Sequence, residues 1–580
     1  ELEAAAARYK SALNADRHNT DALHLYGILN HQCGRHAQAI KWIKKAIAQN
    51  PRVPAFYSNL GEAHRGAGHD KAAQDCYRKA LELDPNFTDA LINLGSVLRQ
   101  RGQTEAAIAS YERALELDPA SVHGWFNIAG AYMDATNWPA AAVAFGKVVD
   151  FAPDAADAHL GLGMALKEME DYEAAADALE AALKIDPNRG DVANNLGNIH
   201  MVLGHFTRAK ACLERALAVS PDDISILCNW ADMHVAMGEV STARETYLRV
   251  LALEPDSVMA NTGIANAAFF AGEWKAAWAG YQFRFRSKDF EKRPFPYPEW
   301  NGEDIGGRKI LVWGEQGIGE EIQFASMIPD LVATGAKVTL ESDPRLVSLF
   351  RRAWPALAVV PRTAPADPAT ADQDIAYQCA SGSLGRVFRQ HDADFGQGHS
   401  FLEADQTLTQ DLRRRYRAGG DPILVGVAWH SKKPVMGRLK SMALHALIPI
   451  FKARDDVRFV DLQYGDTAED RESLTRESGV GIFHDDDVDQ MTDLDTFAAQ
   501  VAAMDLVITI SNTTAHVAGA LGVPTWVMLS SAPLNRWMMN RDDSPWYGSV
   551  KLFRQSTLGN WSDVVEAVAA ELARHNPLAN

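Results

Sequence analysis

The sequence predicts an α-superhelical solenoid of paired helices, followed by an α/β region built on two doubly wound parallel sheets. Three observations predict this fold class. Small and apolar residues recur at an interval of 34 through the first half of the chain. Proline and glycine then crowd into residues 288–308. Beyond them, short apolar runs alternate with helical stretches, which is typical of parallel sheets covered by helices.

Length, charge and cysteine content exclude several classes of protein. The chain has 580 residues, more than one hydrophobic core accommodates, because single cores stop growing at about 250–300 residues. Its 57 Lys and Arg against 75 Asp and Glu give a net charge of −18, which is unsuited to wrapping nucleic acid. No apolar run reaches the ~20 residues of a membrane helix. The 5 cysteines are scattered and form no CxxC pair, so we expect a cytoplasmic protein without a membrane span.

Four residue classes keep one register in the repeat region, which we place at residues 1–286. Two antiparallel helices per repeat explain them, because small residues fit where helices cross closely and proline ends the second helix. The classes are proline at Pro51, Pro85, Pro119, Pro153, Pro187, Pro221 and Pro255; alanine at Ala39, Ala73, Ala107, Ala141, Ala175, Ala209, Ala243 and Ala277; glycine at Gly27, Gly61, Gly95, Gly163 and Gly197; and a large apolar residue at Tyr77, Tyr111, Phe145, Leu179, Leu213, Tyr247 and Tyr281.

This register resembles the tetratricopeptide (TPR) repeat position by position at Asn59, Leu60, Gly61, Ala73, Tyr77, Ala80 and Pro85. Stacked TPR units form a superhelix whose inner wall is lined by the first helix of each repeat. One position of that helix carries asparagine at Asn59, Asn93, Asn127, Asn195 and Asn229. An amide both donates and accepts hydrogen bonds, so we predict that this asparagine ladder binds the backbone of an acceptor protein. The ladder resembles that of the O-GlcNAc transferase family; the alternative is that asparagine is merely compatible with the turn.

Nine short apolar runs predict the strands of the second half. They are Lys309–Trp313, Lys337–Glu341, Ala358–Val360, Ile375–Tyr377, Ile423–Ala428, Val457–Leu462, Val480–Phe483, Leu506–Ile510 and Thr525–Leu529. We assign residues 287–307 to a linker, 308–420 to an N-terminal, acceptor-side lobe, 421–560 to a C-terminal, donor-binding lobe and 561–580 to a helix that crosses back to the first lobe.

Polar residues and glycines follow these strands at their carboxyl ends, where ligands bind in doubly wound sheets. Two such lobes resemble the GT-B glycosyltransferase architecture. The segment Leu506–Pro524 resembles the donor-binding segment of heptosyltransferase-like glycosyltransferases, and Gly317–Leu331 resembles the opening of their N-terminal lobe. Here Gly319-Glu320 stands where that family has Gly-Asp. With the repeats, the chain is similar to bacterial TPR-linked protein O-glycosyltransferases, including flagellin glycosyltransferases.

The resemblance implies a nucleotide-sugar donor, UDP- or CMP-linked, and no other cofactor. The predicted donor-binding residues are Gly317, Gly319, Trp429, Ser431, Gln463, Tyr464, Ser511, Asn512, Thr513, Thr514 and His516. Residues 511–516 open a helix, whose free N–H groups and dipole favour an anion. An ordinary N-cap at Asn512 or Thr513 is the alternative, and a satisfied loop explains Gln463 and Tyr464 nearly as well.

Two catalytic roles are predicted. Glu320 is the first candidate for the base that deprotonates the acceptor hydroxyl, with Glu315, Glu321 and His430 as rivals. Lys440 is the favourite among Lys432, Lys433, Arg438 and Lys440 to neutralise the leaving phosphate, with Arg536 and Arg541 as weaker candidates. A capping role for the glutamates and a solvated face for the basic run are the alternatives.

No metal site is predicted, because the acidic residues Asp485–Asp489 follow an expected strand and are interpreted as a loop. The predicted activity is inverting, metal-independent transfer of a sugar to Ser or Thr of a protein, with flagellin as the expected partner. The repeats also allow a homo-oligomer. The alternatives are a non-catalytic TPR adaptor and a glycosyltransferase that acts on a glycolipid.

Overall fold

A computed structural model describes residues 2–287, 290, 292–315, 317–396, 398–431, 437, 439–531, 535–539, 541–557 and 559–574 of the chain. Among these residues, no helix is both long enough and apolar enough to cross a membrane. The chain forms two compact units, residues 1–199 and 200–580.

Seventeen helices form the repeats. They are α1 Leu2–Ala15, α2 Thr20–Gln32, α3 His36–Gln49, α4 Pro54–Gly66, α5 Asp70–Leu83, α6 Thr88–Gln100, α7 Thr104–Leu117, α8 Val122–Asp134, α9 Trp138–Phe151, α10 Ala156–Glu168, α11 Tyr172–Ile185, α12 Gly190–Val202, α13 Phe206–Val219, α14 Ile224–Ala236, α15 Val240–Leu253, α16 Val258–Ala271 and α17 Trp274–Tyr281. Each repeat proline follows two residues after the end of a second helix, as at Pro51 after α3 and Pro85 after α5. The TPR-like solenoid predicted for the first half is therefore confirmed.

The helix crossings explain why small residues keep their register. All eight repeat alanines, from Ala39 to Ala277, are fully buried at 0% exposure. A Cβ atom added at Gly61 would lie 2.5 Å from the Tyr77 ring, and one at Gly95 would lie 2.6 Å from the Tyr111 ring. The large residue of the second helix thus fills the space that the glycine of the first helix leaves open.

Three histidines of the first unit lie in surroundings that favour the neutral imidazole. His24, His31 and His64 are partly buried, and burial lowers the pKa of each imidazole. The rings of His31 and His36 are also close, with their Nδ1 atoms 3.2 Å apart. A second positive charge at such a distance is unfavourable, so both effects oppose protonation of the folded state.

We expect the free energy of unfolding of the chain to fall as the pH is lowered from about 7.5 to about 5.5. The unfolded histidines, with a pKa of about 6.5, bind protons before the folded ones do, so stability is present above that pH and lost below it. Urea unfolding followed by circular dichroism at several pH values measures the slope. The slope should be shallower in a His31→Gln/His64→Gln variant and unchanged in His18→Gln, where the histidine is exposed. Equal slopes in all three proteins would contradict this assignment.

The second unit also contains two parallel sheets, as the described residues show. The first has the strand order β3-β2-β1-β4, with β1 Lys309–Trp313, β2 Lys337–Ser342, β3 Ala358–Pro361 and β4 Ile375–Ala380. The second has the order β6-β5-β7-β8-β9, with β5 Ile423–Ala428, β6 Val457–Asp461, β7 Leu506–Ile510, β8 Thr525–Leu529 and β9 Val550–Arg554. All the strand pairs in both sheets are parallel. Two sheets of this kind agree with the predicted α/β class.

Two strand predictions differ from the structure. The run Val480–Phe483 is not a strand; only Phe483 forms an isolated bridge, to Val460 of β6. Conversely, β9 was not predicted, because Lys551 and Arg554 interrupt its apolar pattern. An edge strand needs only one buried face, which makes it hard to recognise from sequence.

Ten α-helices that lie wholly within the described residues accompany the sheets. They are α18 Ile318–Ala325, α19 Ile328–Ala333, α20 Val347–Ala353, α21 Gly385–Phe388, α22 Gln406–Tyr416, α23 Ile448–Phe451, α24 Ala468–Ser478, α25 Leu494–Ala502, α26 Thr513–Leu521 and α27 Ser562–Arg574. The last helix, α27, was expected to cross back to the first lobe. That expectation is wrong, since its buried residues Val564, Val565, Val568 and Leu572 belong to the core on one face of the second sheet.

The predicted linker and the last repeats pack against the sheets. Trp300 is buried, and its backbone N–H donates to Gln378 O of β4 at 2.8 Å, so this part of residues 287–307 is bound to the edge of the first sheet. Trp274 and Trp278 of α17 are buried in the hydrophobic core that also contains β1 and β2. The second compact unit therefore includes residues on both sides of the predicted boundary at 286/287.

Candidate functional site

The three candidate glutamates after β1 differ sharply in their surroundings. The Glu315 carboxylate accepts hydrogen bonds from Arg284 Nε at 2.6 Å and from the backbone N–H of Gly382 at 2.6 Å, and its side chain is only 2% exposed. Its position is fixed by these internal partners. The prediction of Glu315 as an alternative base is therefore not supported by its burial.

Glu321 is also enclosed. Its side chain, 2% exposed, forms an ion pair with Arg362 at 2.8 Å and accepts a hydrogen bond from the backbone N–H of Asp343 at 2.9 Å. Burial raises the pKa of Glu321 to about 7, against the opposing effect of Arg362. A carboxyl group with such a pKa suits acid–base chemistry. Enclosed as it is, however, it cannot meet a substrate hydroxyl, and its role is structural.

Glu320 is different because it faces the second sheet. Its side chain is 24% exposed, and its Oε1 accepts a hydrogen bond from Arg536 Nη2 at 2.7 Å. The preceding turn is made by Gly317, whose φ of +54° is readily adopted only by glycine. Of the predicted bases on the first sheet, Glu320 is thus the one with an accessible carboxylate.

The two sheets approach each other at α18 and α26. A Cβ atom added at Gly319 would lie 2.7 Å from His516 Cδ2, so glycine is needed for this close approach. His516 is buried; its ring stacks on Trp537 with centroids 5.5 Å apart, and its Nδ1 lies 2.8 Å from the Tyr547 hydroxyl. Arg536 Nη1 lies 3.4 Å from His516 Nε2.

His516 therefore positions Arg536 instead of presenting its ring to a nucleotide. The tautomer that suits both contacts carries its proton on Nδ1, toward Tyr547, and accepts from Arg536 at Nε2. The prediction that His516 reaches a diphosphate or ribose is not supported, because both of its ring nitrogens have protein partners. Sequence reasoning missed Trp537 and Tyr547, although the aromatic residues that follow β8 could have indicated a packed cluster.

The amino terminus of α26 carries the predicted anion-binding residues. Ser511 Oγ accepts a hydrogen bond from Trp537 Nε1 at 2.7 Å. Asn512 is the N-cap, with Oδ1 accepting from Ala515 N at 3.3 Å and from Thr509 Oγ1 at 3.0 Å. The Nδ2 of Asn512 is buried and has no hydrogen-bond partner among the described residues.

An unpaired buried donor is costly, so this Nδ2 group is a candidate to bind a ligand. The first N–H groups of α26, at Thr513 and Thr514, likewise have no partner within the helix by geometry. The Thr514 hydroxyl is buried, 3.5 Å from the carbonyl oxygen of Leu462, whereas Thr513 is half-buried. The helix cap and the predicted anion site are therefore compatible, because Asn512 Oδ1 makes the capping hydrogen bond and Asn512 Nδ2 is left to bind a ligand.

Other predicted donor residues have internal roles. The Trp429 side chain is buried in the core of the second sheet, so the prediction that it contacts the donor is wrong for the ring. Gln463 Oε1 accepts from the backbone N–H groups of Trp429 at 3.0 Å and His430 at 2.8 Å, and its Nε2 donates to Tyr464 O at 3.1 Å. Gln463 therefore joins the loops that follow β5 and β6, and the half-buried Tyr464 and exposed His430 remain candidates.

The basic run is only partly described. Lys432, Lys433 and Arg438 lie outside the described residues, and Lys440 is 9% exposed. Ser431 is buried, and its backbone N–H donates to Ser441 Oγ at 2.9 Å. Arg536 contacts Glu320 of α18 and His516 of α26, and is thus a cation beside the candidate base.

The last repeats contact the loops that carry these basic residues. Leu439 packs against a cluster that contains Phe206 and Met233. Met539 N donates to Phe270 O of α16 at 3.3 Å, and the Met538 methyl lies 3.1 Å from where a Cβ of Gly272 would be. The repeats thus help to position the segments beside Lys440 and Arg536, a contact that sequence reasoning missed.

In the acidic run Asp485–Asp489, the first and last carboxylates have internal partners. Asp485 accepts from the Tyr416 hydroxyl at 2.5 Å and pairs with Arg415 at 3.1 Å. Asp489 Oδ1 accepts from the backbone N–H of Met491 at 2.8 Å. These contacts support the interpretation of the run as a structural loop.

The asparagine ladder is partly engaged by the repeats themselves. Asn127 and Asn195 donate from Nδ2 to the carbonyl oxygens of His123 at 2.8 Å and Asp191 at 3.0 Å, one turn earlier. Asn59 Nδ2 lies 2.9 Å from His24 Nε2. Asn93 and Asn229 are half-buried. Each Nδ2 has a second hydrogen, so Asn127 and Asn195 keep one N–H donor and the Oδ1 acceptor for a bound peptide.

A solenoid of TPR repeats followed by a two-sheet α/β region defines the class of protein, and comparison with known sequences agrees with the repeats. The family described as the cilia and flagella-associated protein 70 C-terminal domain matches residues 4–268, less than half of the chain. Protein FlbA of Caulobacter vibrioides is 31% identical over 310 residues, which are 51% of this chain and 52% of FlbA. The chain is thus a TPR repeat protein related to FlbA and spans about half the length of that curated relative.

Solved TPR structures are similar over about a third of the chain. YrrB, described as a TPR protein with an unusual peptide-binding site, matches at 22% identity and a TM-score of 0.30 over 32% of this chain and 95% of its own. PilF of Pseudomonas aeruginosa matches at 20% identity and a TM-score of 0.32 over 36% of this chain and 94% of its own.

Proposed function

We propose that this protein transfers a sugar from a nucleotide-sugar donor to a Ser or Thr hydroxyl of a protein held by its repeats. The observation that carries the proposal is the junction made by Arg536. This one side chain contacts Glu320 of α18, the helix that follows β1 of the first sheet, at 2.7 Å, and His516 of α26, the helix that follows β7 of the second sheet, at 3.4 Å. An accessible carboxylate, a guanidinium and the amino-terminal part of α26 are therefore grouped where two parallel sheets meet.

These groups match the charges that sugar transfer requires. The oxygen of the acceptor hydroxyl bonds to the anomeric carbon while the bond from that carbon to the phosphate oxygen breaks, so the anomeric centre inverts. The hydroxyl proton moves to Glu320. The leaving nucleotide phosphate gains charge, which the N–H groups of α26 and the Nδ2 of Asn512 stabilise.

Arg536 supports both halves of this reaction. Its Nη2 donates to Glu320, and its Nε–H is buried without a hydrogen-bond partner among the described residues. An unpaired N–H on a cation favours an incoming anion, because charge-assisted hydrogen bonds are about twice as strong as neutral ones. We therefore assign phosphate neutralisation to Arg536, and to Lys440 only in second place.

Titration calorimetry of the full chain with UDP-N-acetylglucosamine and CMP-N-acetylneuraminic acid tests the donor class. A glycosyltransferase should bind one of these donors or its free nucleotide, whereas a non-catalytic TPR adaptor should bind neither. Flagellin is the acceptor that the family resemblance suggests. Mass spectrometry of co-expressed flagellin would then show the mass added to Ser or Thr.

The asparagine ladder supplies a test of the protein acceptor. Replacing Asn93, Asn127 and Asn195 together by alanine should raise the KM for the protein acceptor about 10- to 100-fold, since each lost hydrogen bond costs about 1 kcal/mol. Donor binding measured by calorimetry should be unchanged, because these residues lie in the first compact unit. An enzyme that acts on a glycolipid should be indifferent to the change.

A second triple variant is the matched control for the ladder. Asn50, Asn86 and Asn188 are exposed asparagines at the ends of second helices or in the turns that follow them, outside the ladder register. Their replacement by alanine should leave the acceptor KM within about two-fold of wild type. Equal KM values for the two triple variants would remove the ladder from the proposal.

A further inference from the structure

An aromatic pocket lies beside Glu320, where the last repeats meet the two sheets. Six of its lining side chains are aromatic: Phe269, Trp274, Trp278, Tyr281, Phe324 and Trp546. They come from three parts of the second unit, namely helices α16 and α17, helix α18 and the segment before β9. Glu320, Gln323 and Arg536 complete the lining. Of these, Glu320 is the predicted base and Arg536 a candidate to neutralise the phosphate.

The pocket has an apolar depth and a charged mouth. Its two charged lining side chains, Glu320 and Arg536, are 24% and 13% exposed, whereas the rings of Trp278 and Trp546 are 2% and 5% exposed. Because Glu320 and Arg536 form an ion pair, the mouth has no net charge to offer a ligand. The pocket therefore suits a neutral, apolar group that enters next to the Glu320 carboxylate.

Of the three tryptophan N–H groups in the pocket lining, one is unpaired within the described part of the chain. The indole N–H of Trp274 donates to Asp392 at 2.5 Å, and that of Trp278 donates to Arg389 O at 2.7 Å. The Nε1 of Trp546 is buried and has no hydrogen-bond partner among the described residues. A buried tryptophan N–H normally finds an acceptor, so a carbonyl oxygen of an occupant would complete the site.

We infer that this pocket binds an aromatic or large aliphatic side chain of the acceptor polypeptide, with a carbonyl of that polypeptide accepting from Trp546. Six rings provide contact area for such a side chain, and the unpaired indole N–H of Trp546 matches the acceptor that a peptide carbonyl supplies. The Nε–H of Arg536, at the charged mouth, is a second unpaired donor of the lining. A pyranose ring would present several hydroxyl groups to the same rings. The location beside Glu320 places the bound side chain next to the reacting hydroxyl, and this last point rests on the proposed function.

N-acetyl-phenylalaninamide is the probe for this site, with N-acetyl-alaninamide and methyl N-acetylglucosaminide as comparisons. Saturation-transfer NMR with the full chain should detect the phenylalanine probe and show much weaker signals from the other two. Trp546→Phe keeps a ring but deletes the N–H, so the affinity for the probe should fall about 2- to 10-fold. Trp354→Phe, at a half-buried site on α20's end, should leave the affinity unchanged.

The outcomes separate this inference from the proposed function. Binding of the phenylalanine probe needs no donor and no turnover, so it would stand even if calorimetry showed no nucleotide-sugar binding. Binding of the glycoside in place of the phenylalanine probe, weakened by Trp546→Phe, would make the pocket a sugar subsite and overturn the inference. Binding of neither probe would show a packing void and overturn it as well.

Discussion

Replacing Glu320 by glutamine should lower the rate of sugar transfer about 10²- to 10⁴-fold, the usual contribution of a general base. Glutamine has nearly the same shape as glutamate, and its amide oxygen can still accept the 2.7 Å hydrogen bond from Arg536. The variant should therefore fold, and it should bind the nucleotide-sugar with little change. What it lacks is a site for the proton of the acceptor hydroxyl.

The neighbouring glutamate supplies the matched control. Glu321→Gln keeps the shape of this buried side chain, and burial already raises the pKa of the Glu321 carboxyl to about 7, so a neutral amide should leave the melting temperature close to that of wild type. The rate per folded molecule should remain close to that of wild type, because Glu321 cannot reach a substrate. Single-turnover rates and thermal unfolding of both variants measure the contrast. A Glu320→Gln variant with a normal rate would move the base elsewhere, with His430 the next candidate.

The repeats could be predicted closely from the sequence because several residue classes recur at the same interval and each of them marks the same pairs of helices. A proline such as Pro85, an alanine such as Ala73 and a large residue such as Tyr77 all follow from one interval and one pair of crossing helices. The buried strands were predictable for a similar reason, since both faces of a central parallel strand are apolar. The sequence pattern was therefore sufficient to predict those elements whose buried residues can be recognised from their near neighbours in the sequence.

The choice among the glutamates depends on residues far away in the sequence. Glu315 is enclosed by Arg284, 31 positions earlier, and Glu320 is paired with Arg536, 216 positions later. No local pattern encodes such pairings, so glutamates that look alike in sequence have different roles. The same reason explains why Trp429 and His516 were predicted to face a donor, although tertiary packing buries both.

Replacing Asn512 by aspartate should reduce the affinity for a nucleotide-sugar about 10²-fold or more. Aspartate keeps an oxygen for the cap on Ala515 N, so the start of α26 should form as before. It exchanges the unpaired Nδ2 donor for a negative charge. Two like charges about 4 Å apart repel by about 4 kcal/mol in surroundings of intermediate polarity, which is more than enough for this loss.

A graded series distinguishes this charge effect from damage to the fold. Asn512→Ser keeps a neutral capping oxygen and removes only the N–H donor, so donor affinity should fall about 2- to 10-fold. Asn137→Asp changes the N-cap of α9 in the same way as Asn512→Asp, but in the repeats, and should leave donor affinity unchanged. Calorimetry with the bound nucleotide, alongside melting temperatures, gives the order wild type, serine, aspartate. If the Asn512 variants lost stability together but kept their affinity, the amino terminus of α26 would be a cap alone, and the phosphate would have to bind at another strand end.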